Sequence, residues 1–209
     1  MSARKPKEPE LNRASLLAAA SLEFASRGFQ GARLEVIASE AKITRAMVYY
    51  YFGGREGLYL AALEEAYRHI RTSERAVDLE GLSPVEAMCK LACFRIDYYV
   101  ENPLMVALLA IENQHKAQYL KNSKEISAQA DISLEPLGAI LRQGQAEGIF
   151  RSGVDVVELH QIMVSMGMFN VSNQHTFGTI FARELCSPEQ LARTRKLACE
   201  VVLGFLAPR

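Results

Sequence analysis

Three features of this chain predict an all-α protein. Apolar residues recur at three- and four-residue spacing along most of its length, the signature of helices with one buried face. Proline follows a capping residue at Ser83-Pro84, Asn102-Pro103 and Ser187-Pro188, the pattern of a helix start with proline in its first position. No segment alternates apolar and polar residues as a half-buried strand would. The expected organisation is a disordered tail over residues 1–10, three short helices over 11–57, and a larger C-terminal helical bundle over 58–209.

The elements follow in order. The tail carries Pro6, Pro9 and several charges with no apolar anchor, a composition that does not fold alone. Leu16, Leu17, Ala20 and Phe24 make the first helical stripe, and Gly28 is expected to close that helix in the left-handed conformation. Leu34, Ile37, Ala38 and Ala41 fall at i, i+3, i+4 and i+7 and give a second short helix. Lys42 and Ile43 form a tight break, and the Thr44 hydroxyl is expected to cap a third helix. That helix buries Val48 and Phe52 and leaves Arg45, Ala46, Met47, Tyr50 and Tyr51 largely free.

Further helices are expected from Glu56 to about Arg75, from Ser83 to about Glu101, and from Asn102 through the apolar run Leu104–Ile111. A long one follows from Ser123 to Glu147, kinked or broken at Pro136 and ended by Gly148. Asp155 caps a helix reaching about Val171, and Ser187-Pro188 opens the last, to about Leu206.

Two short helices joined by about three residues form a helix-turn-helix, whose second helix enters the DNA major groove. Arg45 and Met47 sit in its first turn. Arginine can fork onto guanine O6 and N7, and methionine can touch a thymine methyl. Base contacts are therefore assigned to Arg45, Ala46, Met47 and Glu35. Phosphate contacts, which fix register without reading sequence, are assigned to Arg33, Thr44, Tyr50, Tyr51 and Arg55. Helix-turn-helix geometry also occurs in folds that never meet DNA, so a plain core helix pair is the competing reading of these residues alone.

The flanks extend the pattern. Ala19, Ala20, Phe24, Gly28, Phe29, Ile37, Ala38, Ala41, Ile43, Thr44, Tyr49, Phe52, Arg55, Glu56 and Leu58 resemble, in order and without a gap, the DNA-binding domain of the TetR (tetracycline-repressor-like) family of bacterial transcription regulators. The resemblance spans roughly residues 12 to 63. It departs at Lys42, where the family often has glycine, and at Ala32-Arg33, where it often has a capping serine or threonine. It departs also at Arg55, which takes the place of a lysine, and at Tyr51, which takes that of a histidine. Lysine in the turn must accept an uncommon backbone angle. Such a protein is implied to bind a palindromic double-stranded DNA operator as a homodimer and to be released by a small-molecule effector.

Composition agrees. The 209 residues carry 24 Lys/Arg and 24 Asp/Glu, but the charge is not evenly spread. Residues 1–57 hold nine cations and six anions, about +3, and residues 58–209 hold fifteen and eighteen, about −3. One end thus suits phosphates. No signal-peptide pattern and no membrane-length apolar run appear, so a cytoplasmic protein without a membrane partner is expected.

The resemblance also places the dimer interface on the last two long helices, with Met163, Leu197, Val201 and Phe205 as its apolar contacts. The Val157–Phe169 stretch is apolar almost all round, which requires burial on several sides. For the effector, apolar and polar side chains are combined as in ordinary small-molecule pockets: Phe94, Tyr98, Leu108 and Met166, with Glu112 and Asn170 as polar handles. The expected effector is mainly apolar or aromatic with one polar group.

Catalytic signatures are missing: no glycine-rich phosphate loop, no HExxH and no nucleophile elbow occur, and His69, His115, His160 and His175 are scattered. Cys89 and Cys93 share a helix face but have no two further ligands at zinc spacing. No catalytic residue, metal or cofactor is expected. An all-helical enzyme, or an adaptor that does not bind DNA, is the alternative function.

Overall fold

The computed structural model describes residues 8–128 and 134–208. Among the described residues it contains helices and turns and no strand. The helices are α1 (Glu8–Gly31), α2 (Leu34–Glu40), α3 (Arg45–Phe52), α4 (Arg55–Arg75), α5 (Pro84–Glu101), α6 (Pro103–Gln114), α7 (Lys124–Ala128), α8 (Glu135–Ala146), α9 (Val156–Ser172), α10 (Thr176–Phe181) and α11 (Pro188–Leu206), with a 3-10 turn at Leu120–Asn122. No described helix is long and apolar enough to cross a membrane.

The chain forms two compact units. The first comprises the described residues up to Arg68 together with Ala107–Ser127; the second comprises His69–Val106 and the described residues from Ala128 on. The first unit buries Leu16, Ala20 and Phe24 of α1, Leu34 and Ile37 of α2, Val48 of α3, and Leu58, Tyr59 and Leu63 of α4 around one apolar centre. Phe24, Phe29, Tyr59 and Tyr119 stack and meet edge-on within it. The Tyr59 hydroxyl donates to the Leu108 carbonyl at 3.2 Å, which satisfies a phenol that burial holds protonated.

In the second unit α5 is the central helix and packs against α8, α9 and α11. Met88, Leu91 and Ile96 of α5 meet Leu137 and Leu141 of α8, Leu159 and Met163 of α9, and Ala198 and Val202 of α11. Gly167 sets the approach of α9. A Cβ there would lie 2.8 Å from the Arg95 carbonyl oxygen and 3.0 Å from the Tyr99 ring, so a larger residue would push the helices apart.

Several sequence expectations are met in detail. Ser83 and Glu86 form a reciprocal capping box on α5. The Asp155 carboxylate accepts from Val157 N–H, and the Ser187 hydroxyl from Gln190 N–H.

Others are corrected. Gly28 has φ 69° but ψ 174°, which is not the left-handed helical region, and the helix resumes after this kink to Gly31. Residues 8–10, expected in the tail, lie in α1; the rest of the tail lies outside the described residues. The segment from Ser123 to Glu147, expected to be kinked or broken at Pro136, is two helices, α7 and α8, and most of the stretch between them lies outside the described residues. Pro136 lies in the first turn of α8, where proline lacks only an N–H that the turn leaves unbonded anyway, so it does not kink the helix. Helix α10 was not anticipated.

Candidate functional site

The turn between α2 and α3 is built without glycine. Lys42 adopts φ 56°, and Ile43 N–H closes back onto the Ala38 carbonyl at 3.0 Å while Lys42 N–H bonds the Ser39 carbonyl. This is a Schellman-type stop, with lysine paying the steric cost that glycine would avoid. At the other end of α2, Arg33 takes the N-cap position and has no side-chain cap. Its backbone N–H is instead bonded by the Glu23 carboxylate of α1 at 3.1 Å. A carboxylate borrowed from α1 thus serves one N–H at the N-cap.

Helix α3 buries Val48 completely, and Phe52 packs partly buried against the same core. That fixes the rotation of the helix and turns Arg45, Ala46, Tyr49 and Tyr50 outward. Tyr50 is 79% exposed, and Met47 is half-buried. Three expectations fail here, the first being that Met47 is largely free. Tyr51 is not free: it lies half-buried against the core, with its ring 5.2 Å from that of Tyr50. Thr44 occupies the N-cap position, but its side chain makes no cap bond; its carbonyl accepts from Met47 N–H at 3.0 Å.

Arg45 is pre-positioned by neighbours. Its guanidinium pairs with the Glu35 carboxylate at 2.7 Å, donates to the Tyr49 hydroxyl at 3.1 Å, and lies 5.6 Å from the Tyr49 ring centre. The Tyr49 bond and the Glu35 charge both raise its pKa. Both partners are solvent-exposed, so the arrangement holds the fork outward at little energetic cost to release. Glu35, assigned to base contact, is thereby joined to Arg45 across α2 and α3. Arg55, the first residue of α4, donates to the Gln30 carbonyl at 3.2 Å, tying α4 to the end of α1. Arg33 and Thr44 are exposed.

The residues expected to line a pocket are distributed over both units. Leu108 is a core residue of the first unit. Glu112 is buried there too, with Oε2 accepting from Leu120 N–H at 3.0 Å and Oε1 without a hydrogen bond among the described residues. In the second unit, Phe94 and Tyr98 are ring neighbours at 5.7 Å. Met166 and Asn170 of α9 line a groove of about 600 Å³ with Phe169, Phe177, Phe181 and Leu197. Asn170 donates to the Thr194 hydroxyl at 3.3 Å across to α11.

Among the dimer residues, Leu197 is 52% and Val201 41% exposed. Phe205 is half-buried under the Arg151 guanidinium, which also donates to its carbonyl. Met163, by contrast, is buried inside the second unit, so its assignment to an intersubunit surface is corrected: it faces α5, not outward.

Sequence reading missed Tyr49 as a partner of Arg45. It also missed Cys199, whose sulfur lies 3.8 Å from that of Cys93; burial pushes the Cys93 thiol up to about 12. No group of three or more His, Cys, Asp or Glu is placed to hold a metal among the described residues.

Comparison with known proteins covers both units. Residues 16–62 match the family model of bacterial regulatory proteins of the tetR family, and residues 84–202 match that of the tetracyclin repressor-like C-terminal domain. The helix-turn-helix transcriptional repressor NicS of Pseudomonas putida is 32% identical over 188 residues, covering 90% of this chain and 89% of the relative. The repressor SCO4008 of Streptomyces coelicolor is 26% identical, covering 79% of this chain and 81% of the relative. The crystal structure of the regulator SCO4942 of Streptomyces coelicolor has the same fold, with a TM-score of 0.68 at 22% identity over 94% of this chain and 99% of that one.

Proposed function

We propose that this chain, which belongs to the TetR family of bacterial transcription regulators, represses transcription in the cytoplasm as a homodimer on a palindromic operator and is released by a small, mainly apolar or aromatic effector. The family is one of DNA-binding regulators rather than enzymes. The observation that carries the reading is the presentation of Arg45: exposed in the first turn of α3, held outward by Glu35 and Tyr49, on a helix whose rotation Val48 fixes. An arginine in that place is a reader of guanine.

The DNA-binding domain of this reading is residues 11–57, with residues 58–209 serving effector binding and dimerisation. Two-fold operators call for two-fold proteins. The exposed apolar side chains Phe169, Phe181, Leu197 and Val201, gathered on α9, α10 and α11, support an interface there, since contiguous apolar surface of this kind marks a binding face. Arg45, Ala46, Met47 and Glu35 read bases; Arg33, Thr44, Tyr50 and Arg55 hold phosphates.

A gel shift of the purified protein with the DNA upstream of its own coding region tests the reading. A retarded band competed by the same duplex but not by random duplex is expected. Equal competition by random DNA would refute an operator-specific repressor.

A further inference from the structure

The interior of the second unit holds a charged cluster that packing alone does not require. Glu74, near the end of α4, is buried and paired with two arginines: Arg95 of α5, also buried, and Arg71 one turn before it on α4, at 3.2 Å. Among the described residues, Glu74 is the only carboxylate in an ion pair with either arginine. Two guanidiniums therefore share one carboxylate and leave a net positive charge at a largely buried site, with Arg71 partly exposed.

His160 of α9 adds to the imbalance. Its Nδ1 is buried with no hydrogen-bond partner among the described residues. It lies seven residues before Gly167, hence on the same face of α9 that closes on Arg95 and Tyr99. Burial, then the charges of Arg95 and Arg71, lower its pKa to about 4, so at neutral pH the ring is uncharged and can place its proton on Nδ1. Rings of α5 flank the group: Phe94, Tyr98 and Tyr99 are in successive contact, and Arg95 lies 5.9 Å from the Phe94 ring centre. Tyr98, bonded to His69 at 2.8 Å, is pushed up to about 12, chiefly by burial, and stays a neutral phenol.

An unmatched buried positive charge is costly, and a buried polar atom without a partner adds to that cost. A second carboxylate would answer both. It would accept a fork from guanidinium and an N–H from imidazole, while its ring entered the aromatic surround.

We propose that the effector is a small aromatic carboxylate whose anion is held by Arg71, Arg95 and His160 of the second unit. This rests on the reading of the chain as an effector-released repressor and names the effector's chemical class. Helix α4 begins at Arg55 and carries Arg71 and Glu74 in its last turns, so an anion that competes with Glu74 acts on the helix that follows the DNA-reading motif.

The test uses the full-length protein with benzoate, the neutral isostere benzamide, and sodium chloride at matched ionic strength. Benzoate is expected to raise the melting temperature and shift the His160 ring resonances, with benzamide and chloride doing neither. Arg71→Met leaves the buried Glu74–Arg95 pair in place, and should weaken benzoate at least about tenfold, the scale of one charged hydrogen bond. Arg71→Lys should restore part of that loss. Equal effects of benzamide or chloride, no effect of benzoate, or benzoate binding that Arg71→Met leaves unchanged would each overturn the inference. Operator binding is measured in parallel. Arg71-dependent benzoate binding with unchanged operator affinity would keep the site and refute effector release. Operator release by a neutral aromatic compound, with benzoate inert, would keep the repressor and refute the anion site.

Discussion

The α2–α3 face of the first unit and the interior of the second use charge in opposite ways. Arg45 and Glu35 are paired in solvent, each more than half exposed. Arg95 and Glu74 are paired with almost no exposure at all. The first pair is cheap to make and cheap to break, which suits the proposed exchange of Glu35 for a base. The second is costly to assemble and costly to unbalance, which suits the proposed response to a matching charge.

The largest effect is expected at the exposed pair, the proposed reader of bases. Arg45→Ala should weaken the best operator by roughly 5- to 150-fold per half-site, compounding across a symmetric dimer, and relax preference at one base pair in each half. Random DNA should be bound almost as before. Binding isotherms on operator, single-base variants and random duplex measure this. A uniform loss on all three would mean that Arg45 holds phosphate, and the contrast with the buried pair would lose its functional meaning.

Next is the α11 surface. Val201 is 41% exposed, so Val201→Asp adds a charge that a lone protomer tolerates and a buried interface does not. Association should weaken by about 2–4 kcal/mol, seen as a monomer at micromolar concentration by sedimentation, with operator affinity falling alongside. A dimer of unchanged stability would remove α11 from the interface.

The α2–α3 region was far more legible from sequence than the charged interior. The helix boundaries of α2 and α3 follow from residues within one turn of each other, such as Leu34, Ile37 and Ala38, and the strained angle at Lys42 follows from its place in the turn. What the sequence hid even there came from elsewhere in the chain. The N–H at the head of α2 is bonded by Glu23, ten residues upstream, and Arg45 is held by Glu35 on a different helix. The second unit joins residues far apart in sequence: Glu74, Arg95 and His160 sit on three helices, and periodicity says which face is buried but not which faces meet. Helix α10 escaped because Asn173-Gln174-His175 reads as a loop and Gly178 weakens the helical pattern that follows.

The interior should also give the protein an acid sensitivity. His160 titrates near 6.5 when unfolded and near 4 when folded. Between those values the unfolded chain binds the extra proton, so stability is complete above about pH 6.5 and falls as pH drops toward 4. The loss is about 2–3 kcal/mol. Denaturant melts of wild type and His160→Gln from pH 7.5 to 4.5 test this, and the difference between them should shrink with acid. A constant difference would show that His160 contributes nothing to the pH dependence.

The smallest effect is expected at Arg55, which belongs to both kinds of surface. Its guanidinium donates to the Gln30 carbonyl at 3.2 Å yet stays partly exposed at the start of α4. Arg55→Ala should cost about 0.5–1.5 kcal/mol of stability, the scale of one hydrogen bond between protein groups. If the remaining donors also hold a phosphate, the slope of log K against log salt should flatten by about one unit per protomer, hence about two for a dimer, with base preference untouched. Arg55→Lys separates the contributions: it keeps the charge, and with it most of the salt slope, while losing the fork that reaches Gln30. A full salt slope in Arg55→Ala, with stability reduced, would make Arg55 a strut between α1 and α4 and nothing more. An altered base preference would place it among the readers with Arg45, and the division of α2–α3 and its flank into reading and holding residues would have to be redrawn.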